Sequence, residues 1–147
     1  MDLRQVSTPA LAYLGDCVLE LCVRRHLLEL GFSTSRNLNR EALSYVCASA
    51  QAEAMKRILP VLSEEEESYF KRGRNIGHTN VPKSATVSEY RTATGMEVLF
   101  GFLHLSERNE RINELFTIGY INVADEDRRR QIERRRNYEE PQNQDYC

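Results

Sequence analysis

Apolar side chains recur at three- and four-residue intervals through most of the chain, the spacing of one face of an α-helix. No stretch keeps the two-residue alternation of a strand, so the expected class is all-α. The first run begins at Pro9, which suits the first turn of a helix, with Thr8 as a candidate N-cap. It continues to about Leu30. Leu11, Leu14, Val18, Leu21, Cys22 and Leu28 form its main stripe, and Ala12, Val23 and Leu27 lie on other sides. A helix apolar nearly all round is expected to be central and buried. Gly31 is placed to end it. After a polar stretch from Ser33 to Asn37, a second helix is expected from Asn37 or Asn39 toward Leu59. Leu43, Val46, Cys47, Ala50, Ala54 and Ile58 recur along it, and Pro60 marks its end or a kink.

Ser63 followed by Glu66 reads as a capping box. It opens a helix from about Glu64 to Arg72, with Tyr69 and Phe70 facing inward and acids where the helix dipole favours them. Residues 73–83 hold two Gly, two Asn and a Pro, and read as a loop. Ser84 to about Ser106 is largely helical, with Ser88 as a candidate cap. A last helix covers roughly Arg108 to Ile118. The pattern then stops. Residues 1–122 are expected to form a single domain, and 123–147 a charged, mobile tail that includes Arg128, Arg129, Arg130, Arg134, Arg135 and Arg136.

A chain of 147 residues fits one domain with a proper core. Its 41% hydrophobic and 29% charged content describes a globular protein. No apolar run approaches a membrane span, and the first residues, Met1 to Gln5, lack a signal-peptide core. A cytoplasmic protein is expected, or a plastid one if a transit segment was removed. Cys17, Cys22 and Cys47 lie in helical patterns without the paired spacing of a zinc site, so buried free thiols in a reducing compartment are expected. The net charge of −2 gives no global sign of a nucleic-acid partner. The charge is unevenly spread, however. Lys71, Arg72, Arg74, His78 and Lys83 share a stretch that contains no acid, and a local basic patch can hold phosphates.

Two positions break the apolar pattern. Asp16 lies within the run Leu11 to Leu21, and Glu97 within Ala93 to Leu103. A carboxylate in an apolar setting is costly unless paired, protonated or bound to a metal. Asp16 shares a helix face with Ala12, Tyr13 and Glu20; Glu97 shares one with Ala93, Thr94, Phe100 and Gly101. Gly15, Gly95 and Gly101 allow close helix packing. Each acid could be satisfied inside the scaffold, Glu97 by Arg91 for example. Together they could hold a hard cation such as Mg²⁺, which prefers oxygen ligands. Lys71, Arg72, Arg74, Asn75, Thr79, Asn80 and Lys83 can donate to phosphates. Carboxylates beside such a stretch suggest metal-assisted phosphodiester hydrolysis.

At these residues the sequence resembles the ribonuclease III family. Leu14, Gly15 and Asp16 match its signature helix, and Met96 to Gly101 its second acidic helix. The order of Lys71 to Asn75, Pro82–Lys83, Tyr90–Arg91 and the Glu97 segment is similar to the compact Mini-III branch, which lacks a separate double-stranded-RNA-binding domain. The resemblance covers about residues 8–120. It implies the family's all-helical endonuclease domain, acting as a homodimer with Mg²⁺, or with Mn²⁺ in its place. It implies cleavage of double-stranded RNA to 5′-phosphate and 3′-hydroxyl ends, and maturation of the ends of the 23S ribosomal RNA precursor, with a ribosomal protein as a potential helper. Carried over by position, Asp16 and Glu97 become the catalytic, metal-binding pair, and Tyr13 falls at the dimer interface. Lys71, Arg72, Arg74, Asn75, His78 and Lys83 become RNA contacts. The wider family has two further carboxylates where this chain has Ala12 and Thr94, which leaves the number of metals per site open. The rival reading is a non-catalytic RNA-binding scaffold of the same fold, for ribosome assembly or splicing.

Overall fold

The computed structural model describes residues 1–77, 81, 83 and 85–123, and these contain helices and no strand. Among the described residues six α-helices follow one another: α1 (Thr8–Glu29), α2 (Ser35–Val46), α3 (Ala48–Ile58), α4 (Glu64–Arg74), α5 (Val87–Leu105) and α6 (Asn109–Phe116). The charged tail beyond residue 123 lies outside the described residues.

Helix ends follow local chemistry, with two shifts from expectation. Ser7, not Thr8, caps α1, its hydroxyl accepting from the Ala10 amide. Thr86, not Ser88, caps α5, accepting from the Glu89 amide at 3.0 Å. The first choice adds one residue to its helix and the second adds two. Gly31 ends α1 with φ +93°, and the amides of Gly31 and Phe32 return to the carbonyls of Leu28 and Leu27, the left-handed stop that glycine adopts without a steric penalty. The capping box of α4 is complete. Ser63 Oγ accepts from the Glu66 amide at 3.2 Å, and Glu66 Oε2 accepts from the Ser63 amide at 2.9 Å.

The long second helix expected from the periodicity is two helices. At Cys47 the backbone turns extended (φ −67°, ψ 152°), so one residue ends α2 and begins α3. No Pro or Gly marks the spot. The break is tertiary in origin: it lets α2 lie against α1 while α3 packs on α5.

The central helix is α5, not α1. From Ala93 to Leu103 every residue is buried except Glu97, which is half-buried. α1 buries only one side, through Leu11, Gly15, Val18, Leu19, Val23 and Leu27. Tyr13, Leu21 and Leu28 remain 86%, 66% and 61% exposed. Cys17 is exposed too, so the expectation of buried thiols holds for Cys47 and fails for Cys17.

The two long helices touch backbone to backbone. A Cβ built on Gly15 would overlap the carbonyl of Glu97, and one on Gly101 would overlap the carbonyl of Leu11. α4 meets α5 in the same way, Gly73 lying against Gly95, and α4 runs two residues beyond its expected end. Tyr69 of α4 stacks on Phe102 at 3.8 Å. Arg111 of α6 reaches back to Glu66 at 2.8 Å and to the carbonyl of Val61 at 2.7 Å, which fastens α6 to the start of α4.

Candidate active site

The contact of Gly15 with Glu97 decides where the two acids go. Asp16 follows Gly15 directly, so its side chain leaves α1 next to the point where Glu97 leaves α5. Both line one open cleft of about 580 Å³, with Tyr13, Gln51, Tyr90 and Thr94 among its other walls. Asp16 is exposed at the cleft and Glu97 is half-buried in its wall.

Electrostatics mark the pair as uncompensated. Burial, followed by the charge of Asp16, pushes the Glu97 carboxyl up to about 8, while a hydrogen bond from the Gln51 side chain pulls the other way. Asp16 is also raised, first by burial and then by Glu20. Among the described residues no cation contributes to either shift. Arg91 is exposed and does not supply the internal ion pair that was one expectation for Glu97. Glu20 bonds to Arg24 at 2.8 Å along α1 and also lines the cleft, where its charge adds to that of Asp16.

Ala12 and Thr94 stand at the cleft without adding charge. Thr94 spends its hydroxyl on the Tyr90 carbonyl at 3.0 Å. Among the described residues no three His, Cys, Asp or Glu side chains form a metal-ligand group. The charged donors at the cleft are the carboxylates of Asp16 and Glu97, with Glu20 held by Arg24 beside them, all oxygen-bearing. That chemistry fits a hard divalent cation that keeps several waters better than zinc with its nitrogen and sulfur ligands.

The basic residues are arranged differently from expectation. Lys71 and Arg72 lie on the last turn of α4 as expected, but Arg74, expected in the loop, belongs to the same turn, and Asn75 is its C-cap. Lys71 pairs with Glu67 at 2.9 Å. Arg72 turns inward: its guanidinium donates to Thr8 Oγ1 and the Val6 carbonyl, both at 3.1 Å, and covers the Tyr69 ring. It ties the chain before α1 to α4, which withdraws it from the RNA-contact set expected of it. Arg74 is exposed over the Phe70 ring, and Lys83 is exposed. Ile76, just beyond α4, lines the acidic cleft, so the basic end of α4 leads directly to it. His78, Thr79 and Asn80 lie outside the described residues. Tyr13 stands at the cleft edge, on the open side of α1.

Gln51 is the site residue that the sequence reading missed. Its signal was an amide in register with Met55 and Ile58, four and seven residues on, which are core positions of α3.

The chain is similar to known proteins. The ribonuclease III domain model matches residues 9–108. The chain is 45% identical to the Mini-ribonuclease 3 of Enterococcus faecalis over 116 residues, 78% of this chain and 88% of that protein. It is 40% identical to the Mini-ribonuclease 3 of Streptococcus pneumoniae over 117 residues, 78% of this chain and 91% of that one. A crystal structure of a Fusobacterium nucleatum protein superposes with a TM-score of 0.71 at 34% identity, covering 80% of this chain and 95% of that one.

Proposed function

This chain is an endoribonuclease of the ribonuclease III family, and on that premise we propose that it cleaves double-stranded RNA with the help of Mg²⁺. The observation that carries the reading is the one cleft that Asp16 and Glu97 both line, with no cation among the described residues paired to either acid. Asp16 and Glu97 would hold the ion, with Mn²⁺ able to replace it. Bound there, the ion would make water a better nucleophile and offset charge on the phosphate.

The chain's own residues do the rest. Asp16, at the open side of the cleft, and Glu97, in its wall, set where the phosphate and the attacking water can sit. Water adds to phosphorus and the bond to the 3′ oxygen breaks, leaving 5′-phosphate and 3′-hydroxyl ends. Lys71, Arg74, Asn75 and Lys83 grip the backbone next to the cleft, and His78 belongs to the same stretch. Arg72 shapes that grip by fixing the end of α4. Recognition goes mainly through A-form shape and phosphates, because side chains cannot read the deep major groove.

The open apolar side of α1 around Tyr13 supports a homodimer, in which two sites related by a twofold axis cut both strands. The proposed substrate is the 23S ribosomal RNA precursor in the cytoplasm, with a ribosomal protein as a candidate helper. The scaffold alternative has no need of an uncompensated acidic pair in one cleft. The deciding experiment is cleavage of a labelled RNA duplex with Mg²⁺, wild type against Glu97→Gln. Loss of cutting in the variant, with the fold intact, is the expected result. Equal cutting by both proteins rules the reading out.

A further inference from the structure

Among the described residues, Gln51, Glu66 and Thr94 are the polar side chains that lie buried. Two of them serve the scaffold. Glu66 closes the capping box of α4 and pairs with Arg111. Thr94 bonds to its own helix at Tyr90. Gln51 is different. It is 2% exposed, on the face of α3 turned toward α5, and its side chain meets the Glu97 carboxylate at the wall of the acidic cleft.

An amide removed from water costs roughly 1–3 kcal/mol unless it is hydrogen-bonded. The neighbours of Gln51 on α3 include Ala52, Ala54, Met55 and Ile58, all buried and apolar. Leucine or methionine would fill the same space without that cost, so packing does not call for an amide here. What the amide adds is a hydrogen bond to one of the two acids. A carboxylate oxygen only accepts, so the Gln51 side-chain N–H is the donor. A neutral donor restrains the carboxylate without bringing a charge of its own. Lysine or arginine at this place would compensate Glu97 directly and repel an incoming cation.

We propose that Gln51 is a positioning residue of the active site, its amide holding Glu97 in the orientation in which Glu97 and Asp16 together take a divalent cation. This role rests on the proposed metal-binding function of that pair. Glu97 alone on a flexible stem of two methylenes has several rotamers; bonded to Gln51 from the buried side, it turns its remaining acceptor capacity toward the cleft. Outer partners that orient a metal ligand in this way typically contribute about 10–100-fold to metal affinity or activity.

The test is Mn²⁺ binding to the metal-stripped, full-length protein without RNA, followed by electron paramagnetic resonance of the free ion. Wild type, Gln51→Leu and Glu97→Gln are compared. Gln51→Leu is expected to keep its helical circular dichroism and its RNA binding in EDTA, while its Mn²⁺ affinity falls about tenfold or more. Duplex cleavage by the same variant should need correspondingly more metal and recover in part at high concentration. Glu97→Gln is expected to lose the ion. If wild type binds Mn²⁺, Glu97→Gln does not, and Gln51→Leu binds as wild type does, the positioning role is overturned while the acidic pair stands. If wild type itself binds none, the metal reading of the pair fails and the positioning role fails with it. Should Gln51→Leu lose its fold, Gln51→Asn, which keeps the amide and shortens its reach, takes its place. Unfolding of both variants would make the amide a packing element and overturn the proposal.

Discussion

The backbone of Gly15 lies so close to the carbonyl of Glu97 that no side chain fits between them. Asp16 is the next residue, so this one contact brings a carboxylate from each of two helices into the same cleft. Gly15→Ala should therefore force α1 and α5 apart. Overpacking of this kind costs about 1–3 kcal/mol, occasionally more, and a backbone partner cannot swing aside as a side chain can. Urea unfolding of the variant should show a lower midpoint, and duplex cleavage per folded molecule should drop as well. Unchanged stability would mean that the helices do not touch at Gly15.

Glu97 makes metal-free stability depend on pH. Its folded value of about 8 stands above the ordinary 4.5. Between those limits the folded chain holds a proton that the unfolded chain has released. Stability must then fall as pH rises through this window, with the full penalty above about 8. A divalent cation takes the deprotonated form and offsets the penalty. Thermal unfolding should thus show a larger rise on adding Mg²⁺ near pH 8.5 than near pH 6. Glu97→Gln should flatten both the pH slope and the Mg²⁺ response, and a wild-type slope in that variant would assign the proton elsewhere.

Arg72 and Arg74 stand two residues apart but have separate duties. Arg72 donates to Val6 and Thr8 inside the chain, whereas Arg74 is exposed. Arg72→Ala should lower the melting temperature, losing about 1–2 kcal/mol of hydrogen bonding. Arg74→Ala should leave stability unchanged, weaken duplex RNA binding and reduce its salt slope by about one unit. Filter binding across a salt series, beside thermal melts of both variants, separates the two.

Arg111 should matter to stability alone. It holds the buried Glu66, and this bond keeps the Glu66 carboxyl below its ordinary value. Removing it strands an acid at the start of α4, and neither residue lines the cleft. Arg111→Ala should lose about 1.5–3 kcal/mol near neutral pH. The loss should shrink in acid, because a carboxyl with a lowered value gives up its stabilising effect as pH falls through that value. Cleavage per folded molecule should stay at the wild-type rate at moderate temperature.

Tyr13 is 86% exposed in the single chain, with Leu21 and Leu28 also open on α1. If this side joins two copies, Tyr13→Asp should shift the sedimentation coefficient from dimer to monomer while helix content holds. A variant that still sediments as a dimer would move the interface elsewhere.

Much of this protein was legible along the chain. Helical spacing identified the helices, Ser63 with Glu66 located the start of α4, and Gly31 located the end of α1, because each signal acts over a single turn. Asp16 and Glu97 stood out for the same reason: a charge inside an apolar stretch conflicts with its immediate neighbours. What lay out of reach depended on other helices. The turn at Cys47 has no local breaker and exists because α2 and α3 pack against different partners. The burial of α5 all round, and the open side of α1, follow from which helix the others surround. Arg72 reads as one more surface base until Val6 and Thr8 are found beside it. Gln51 reads as a polar residue on an amphipathic helix until α5 brings Glu97 within its reach. Sequence determined the segments and the two acids, since those rest on local spacing and the cost of burying charge. Tertiary structure alone decided which groups meet, since the approach of Gly15 to Glu97 joins residues more than eighty positions apart.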